Sequence, residues 1–341
     1  MPESKKVLFS AVKNEGPFLV EWIAYHKAIG FDTILIVSND SDDGTTELLD
    51  ALHTAGEIQH IHHSVGPDES PQGKAAKAAN ESSAIADGDW VIWLDADEFL
   101  NIHCGQGKVD DLILSLGGAH GVLIPWRIFG DGGNKRFPGR FVSQDFSRAA
   151  DRDFAGNKII KTFYRHRARK TRLSEIANHR PHLRRWKHFQ GTDFVNASGA
   201  TLNLDFFPTA RWLRGVQGKA NFRIAPEDYG WDLVQINHYA VRTREMFELK
   251  ARRGRGFVNI DNGVAKRKPR HTPKFFDEHN RNEAEDRSIL RHEGATAEQM
   301  QRLLALPSVR HANDLALQIT EKRITSQRAT AEDAPTAASE H

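Results

Sequence analysis

The sequence predicts an α/β fold: a mostly parallel central sheet, covered on both faces, followed by C-terminal helices. Three observations carry this. VLFSAV, DTILIVSND and VIWLDADEFL are nearly continuous apolar runs instead of alternating ones, as expected of strands buried on both faces. Helical periodicities separate them. Each run ends in polar residues, and in open parallel sheets ligands bind outside the carboxyl ends of the strands.

VLFSAV (7–12) gives the first strand, KNEGPF a turn, and FLVEWIAYHKAIG an amphipathic helix with Gly30 as a natural C-terminal stop. DTILIVSND (32–40) is the second strand. SDDGTTELLDALHTAG reads as a loop, an N-cap and a second helix, with Ser41 or Asp42 as cap candidates. A weak strand follows at EIQHIHH, a helix at QGKAAKAANESSAIA, and then the strand VIWLDADEFL (91–100). Beyond Cys104, KVDDLILSLGG reads as a helix, GVLIPW as a strand and RIFGDGGNKRFPGR as a basic glycine-rich loop. Residues 134–190 are so rich in Arg, Lys and His that they read as partly irregular surface over the cleft. WDLVQINHYAV (231–241) is strand-like and TREMFELKARRGRG helical, and the stretch from PKFFDEH onward is expected to be helical. The expected organisation is a domain over 1–256, divided into an acidic half (1–133) and a basic half (134–256). A helical extension over 257–323 and a disordered tail over 324–341 complete it.

The chain has 341 residues, of which 39% are hydrophobic, enough for a sizeable core. It lacks a membrane-length apolar run and an apolar leader, so the expected location is the cytoplasm, with peripheral contact at the inner face of a membrane. A single cysteine, Cys104, excludes an intramolecular disulfide and a cysteine-based zinc cluster. The net charge of +2 conceals an asymmetry. Residues 1–133 hold 8 Lys/Arg against 21 Asp/Glu, and residues 134–272 hold 30 against 12. An acidic half joined to a basic half suits a metal ion on one side and an anionic ligand on the other, or two solvated faces that attract each other.

Asp95 and Asp97, at i and i+2 around a small residue, can face one ion if the backbone turns between them. Hard oxygen ligands of this kind suit Mg²⁺ or Mn²⁺ that share their shell with substrate phosphates. Further carboxylates in the sequence could serve as a general base. Asp145 in VSQDFSR is preferred, with Asp131 and Glu98 behind it. Positive charge for an anionic, phosphate-bearing ligand is available in KARRGRG, which holds Lys250, Arg252, Arg253 and Arg255. Arg253 is preferred there, with Lys161 a weaker candidate.

Several motifs occur together: Lys13-Asn14-Glu15 with Glu21, Trp22, Tyr25 and His26; Asp95, Asp97, Glu98 and Phe99; Trp126, Phe129 and Gly130; Asn237, His238 and Tyr239. Jointly they resemble the family 2 glycosyltransferases, in particular a bacterial branch related to family 92, across residues 6–256. The resemblance implies a GT-A fold, a Rossmann-like αβα sandwich, and metal-dependent, inverting transfer from a nucleoside diphosphate sugar to a glycan or lipid-linked acceptor. In that frame Asp97 is the main ligand of Mn²⁺ or Mg²⁺, Asp95 contacts the ribose or the metal, and His238 completes the shell. Lys13, Asn14 and Glu15, with Asn39 and Asp40, lie where such enzymes hold base and ribose. Gln72 opens a helix where the nucleotide can be touched.

Other readings are weaker. Haloacid dehalogenase-like phosphatases share a strand ending in D-x-D, but carry Thr or Val where Glu98 stands. A non-enzymatic, polyanion-binding protein could use the block KTFYRHRARKTRLSEIANHRPHLRRWKHF, but the acidic half would repel nucleic acid, so no nucleic-acid partner is expected.

Overall fold

A computed structural model describes residues 4–332, apart from 67, 140, 167–170, 184–192, 203–221, 253–258, 262–263 and 267–270. In chain order, β1 (Lys6–Val12), α1 (Gly16–Ala28), β2 (Thr33–Asn39), α2 (Thr45–Thr54), β3 (Gln59–His63), α3 (Pro71–Glu81) and β4 (Trp90–Trp93) alternate as expected. Then come β5 (Glu98–Ile102), α4 (Val109–Ser115), β6 (Gly121–Ile128), the single turn α5 (Val142–Asp145) and β7 (Arg148–Ala149). The basic region contributes β8 (Ile160–Arg165), β9 (Thr171–Ala177), β10 (Arg180–Leu183) and β11 (Phe194–Asn196). β12 (Val234–His238), α6 (Arg244–Arg252), β13 (Asn259–Asp261), β14 (Val264–Lys266), α7 (Pro273–His279), β15 (Ala284–Glu285), α8 (Glu293–Leu304) and α9 (Pro307–Glu332) complete the chain.

The main sheet runs β3-β2-β1-β4-β8-β6-β12-β5. β3, β2, β1 and β4 are mutually parallel. β8 is antiparallel to both β4 and β6, and β5 is antiparallel to β12. Along one edge of β6, β11 pairs with residues 121–123 and β12 with residues 126–128. The continuous apolar runs are explained by the two faces of the sheet. Leu8, Ile34, Ile36 and Ile92 pack with α1 and α2, whereas Val7, Phe9, Leu35, Val37, Val91 and Trp93 pack against Ala75, Ala76 and Ala79 of α3. This mixed α/β sandwich, with helices at its C-terminus, is the expected GT-A architecture.

Three details differ from the sequence reading. VIWLDADEFL is two strands, β4 and β5, joined by a turn that Glu98 N–H closes on the Asp95 carbonyl at 3.0 Å. The basic segment, expected to be surface that is only partly regular, also supplies a core strand, because β8 runs through the middle of the sheet. Its Ile160, Phe163 and Tyr164 are buried on both sides, and their signal is diluted by Lys161, Arg165 and the cations that follow. Finally, α9 continues through 324–332, where a disordered tail was expected, with Ile324 and Gln327 buried against the body. Ala316 of α9 lies so close to Gly16 and Gly44 that a Cβ on either glycine would approach its Cβ to 2.8 and 3.1 Å. Gly44 also has φ +88°, so only glycine fits there without strain. Among the described residues, no helix is long and apolar enough to cross a membrane.

At the β5 edge of the sheet, the backbone is paired by side chains of α1. Trp22 Nε1 donates to Glu98 O at 2.8 Å, and Tyr25 Oη to Leu100 O at 2.8 Å; the amide of Leu100 donates to His26 Nε2 at 3.3 Å. His26 Nδ1 in turn faces Trp22 O at 2.8 Å. Burial holds the pKa of His26 down at about 3, so the ring is neutral and can accept that amide proton. A depressed histidine favours the fold fully above its unfolded value, near 6.5, and loses that contribution as pH falls toward 3. His26→Phe should therefore destabilise the chain at pH 7. Its deficit against wild type should shrink by about 1.4 kcal/mol per pH unit below 6.5. Urea unfolding of both proteins at pH 7, 5.5 and 4.5 checks this; a deficit independent of pH would refute a neutral buried ring.

Candidate functional site

β4 delivers Asp95 to the carboxyl end of the sheet, and the turn after it brings Asp97 round beside the end of β12. Each aspartate meets its own ammonium. Lys161, fully buried on β8, lies 3.3 Å from Asp95 Oδ2 and 3.1 Å from Glu98 Oε2, and is hydrogen-bonded to Asn178 Oδ1. Asn178 also donates to both Asp95 oxygens at 3.2 and 3.3 Å. Lys250, from the last turn of α6, is bonded to Asp97 Oδ2, the same oxygen that His238 Nε2 approaches at 3.7 Å. The His238 ring packs on Trp126, with centroids 4.1 Å apart.

These neighbours set the charges. Burial works against ionisation of Asp97, but Lys250 and His238 outweigh it and hold its carboxyl well below the usual range. Asp95 is likewise opposed by burial and lowered overall by Lys161. Glu98 behaves oppositely. Its burial, together with the two aspartates, prevails over Lys161 and lifts its pKa to about 8. Its Oε2 accepts the Asp95 amide at 2.8 Å, so Glu98 pins the turn from inside and does not face an acceptor.

A cavity of about 420 Å³ adjoins this turn. Its walls include Asn14, Glu15, Asp42, Arg242, Lys250 and Arg323. Asn14, with φ +53°, exchanges hydrogen bonds with Asp42 at 2.7 and 2.9 Å. Asp43 ties the same two loops from below, accepting from Gly16 N at 3.2 Å and Thr45 N at 3.0 Å. Arg242 spans loop and turn: it donates to Glu15 Oε2 at 3.2 Å and to Ala96 O at 3.4 Å, and stacks over Phe18. Arg323 of α9 closes the wall by bonding Asp42 Oδ1 at 3.1 Å and its carbonyl at 2.5 Å. The cavity lies within the size range of small-ligand sites.

The structure thus brings together Asn14, Glu15, Asp95, Asp97 and His238. Against burial, which works to raise them, the carboxyls of Asp40 and Asp42 are lowered by hydrogen bonds from Asn39 and Arg323 respectively, with a smaller contribution from Lys13 nearby. Asn39 is buried at the end of β2 and donates to Asp40 Oδ2 at 3.3 Å, while Asp40 accepts from Val65 N at 3.1 Å. Gln72 lies in the first turn of α3 and does not line the cavity. Asp131 and Asp145 do not line it either. Asp131 binds Gly133 N, Asn280 and Asn282, joining its loop to the C-terminal segment. Asp145 ends α5, whose amides at Val142 and Ser143 are held by Glu21 at 2.7 and 3.0 Å. Arg253 lies outside the described residues. Arg242 and Arg323 were missed. The first stands three residues after the NHY motif, a signal that could have found it, whereas nothing in the α9 sequence marks the second.

The residues expected to hold a divalent cation do not fit one as arranged. Among the described residues, no three His, Cys, Asp or Glu side chains converge as a ligand set. Asp97 and His238 share an approach, but the Lys250 ammonium already sits on the carboxylate oxygen a cation would need.

Residues 9–170, just under half of the chain, match the family model described as glycosyl transferase family 2. Curated relatives include a family 92 glycosyltransferase protein of Oryza sativa subsp. japonica, 32% identical over 103 residues, covering 30% of this chain and 17% of that protein. Another, from Ricinus communis, is 25% identical over 209 residues, covering 59% of this chain and 35% of that one. The chain thus spans about a third or less of these relatives. Among solved structures, S. aureus TarS 1-349 overlaps at 13% identity with a TM-score of 0.33, covering 96% of this chain and 92% of that one.

An isosteric change tests the state of Glu98. A carboxyl raised above its unfolded value, near 4.5, weakens the fold progressively as pH rises toward 8. Glu98→Gln should therefore gain on wild type by about 1.4 kcal/mol per pH unit across that window, read by urea unfolding at pH 5, 6.5 and 8. A variant that instead loses ground as pH rises would show that Glu98 is ionised in place. Over residues 9–170 the chain is glycosyltransferase family 2-like, and the curated proteins it resembles are family 92 glycosyltransferase proteins.

Proposed function

We propose that this chain transfers a sugar from a nucleoside diphosphate sugar to a glycan or lipid-linked acceptor, with inversion at the anomeric carbon. The supporting observation is a cavity whose walls combine amide and carboxylate groups with cations, two of which, Arg242 and Lys250, also bond the Asp95–Asp97 turn. Asn14 and Glu15 offer the mixture of donors and acceptors that a base or ribose requires. Arg242 and Lys250 place positive charge where a diphosphate would leave, and charge fixed before the reaction stabilises a leaving group without reorganisation.

Turnover of a panel of nucleotide sugars, read as release of nucleoside diphosphate, tests the proposal. Asp97→Asn should lower kcat by about 10²–10³-fold, the scale of losing one preorganised electrostatic group. Unchanged turnover in Asp97→Asn, or no turnover of any donor, would sink the proposal, and retention at the anomeric carbon by NMR would sink inversion.

A further inference from the structure

We propose that Lys250 takes the place of the divalent cation in this site, so that the donor's diphosphate is met by an ammonium and binds without metal. The inference rests on the reading of the cavity as a nucleotide-sugar site. It starts from the disagreement between the expected ligand set and the residues present. Lys250 Nζ is bonded to Asp97 Oδ2 with both side chains largely buried, 13% and 8% exposed. A divalent ion must approach a carboxylate oxygen to about 2.0–2.2 Å. An ammonium in contact with the same oxygen excludes it by volume and by like charge.

The remaining donors are also committed. Asp95 is shared by Lys161 and Asn178, and Glu98 faces inward onto Lys161 and the Asp95 amide. Two ionised aspartates thus face two ammonium groups, which removes the excess negative charge that would draw a dication into the turn. Meanwhile Lys250 also lines the cavity, next to Arg242 and Arg252. An ammonium carries three N–H donors, so a contact with Asp97 and another with a phosphate oxygen are compatible. Its position in the last turn of α6 adds the favourable field of the helix C-terminus. Asp97 then serves to aim Lys250, and His238, packed on Trp126, closes the other side of the carboxylate.

The test is isothermal titration of the full chain with UDP, GDP, ADP and CDP, each in EDTA and in Mn²⁺, for wild type, Lys250→Met and Lys250→Arg. Wild type should bind one of the four about equally in both conditions. Lys250→Met should weaken that binding in EDTA by about 10–100-fold, the scale of a hydrogen bond to a charged group. Added Mn²⁺ should restore it, because Asp97 and His238 are then open to a cation. Lys250→Arg, which keeps the charge, should retain binding in EDTA. Should Lys250→Met fail to fold, as judged by circular dichroism, wild type and Lys250→Arg still decide. Wild-type binding that requires Mn²⁺ would overturn the inference and leave the proposed function intact. So would Lys250→Met matching wild type in EDTA. Absence of binding by all four nucleotides in both conditions would overturn both.

Discussion

The site is organised around one buried cation. Lys161 is completely enclosed in the middle of the sheet, and burying an ammonium is tolerable only if a carboxylate and further oxygen acceptors replace its water. Asp95 and Glu98 are those partners, and they belong to the two ends of the turn that carries Asp97. A charge inside the sheet therefore dictates the geometry outside it. If the turn opened, Lys161 would be left uncompensated, so the conformation that presents Asp97 is also the one that keeps the interior solvated by protein groups. The charge asymmetry along the chain acquires a structural meaning here. Lys161, Lys250 and Arg242 come from the basic part and their partners Asp95, Asp97 and Glu15 from the acidic part, so mutual attraction of the halves and construction of the cleft are the same contacts.

Much of the architecture was legible because period and punctuation carry it. Strands buried on both faces read as apolar runs, and the polar ends of β1 and β4 converge where a parallel sheet presents its ligands. β8 was illegible for a physical reason: its central Lys161 and the cations after it mask three large buried residues, and only tertiary pairing with Asp95 and Glu98 makes a lysine acceptable there. The fate of Glu98 was open for a similar reason. Whether it faced an acceptor or the interior depended on a partner sixty-three positions later in the sequence. Helix periodicity placed Lys250 on α6, but not its contact with Asp97, since side-chain reach across elements leaves no trace in local spacing.

The cavity is likewise built from segments remote in sequence. Loops after β1 and β2 supply one wall, α6 another, and Arg323 of α9 a third. The close seat of Ala316 on Gly16 and Gly44 sets how deep α9 lies, and with it the position of Arg323 over Asp42. The C-terminal helices are therefore part of the site's frame, and packing at two glycines is transmitted to a polar wall two turns further along the helix.

The α1 side chains that bond β5 have a consequence for the protein's behaviour among other chains. A sheet ending in an apolar strand normally displays a row of unpaired amides and carbonyls, a template on which foreign strands add. Here Glu98 O, Leu100 N and O, and Ile102 O are taken by Trp22, His26, Tyr25 and Arg291. Because these contacts go to backbone atoms, they do not depend on which apolar residues fill β5. The edge nearest the aspartate turn is thus capped from within the same molecule, and the sheet terminates there without inviting strand addition.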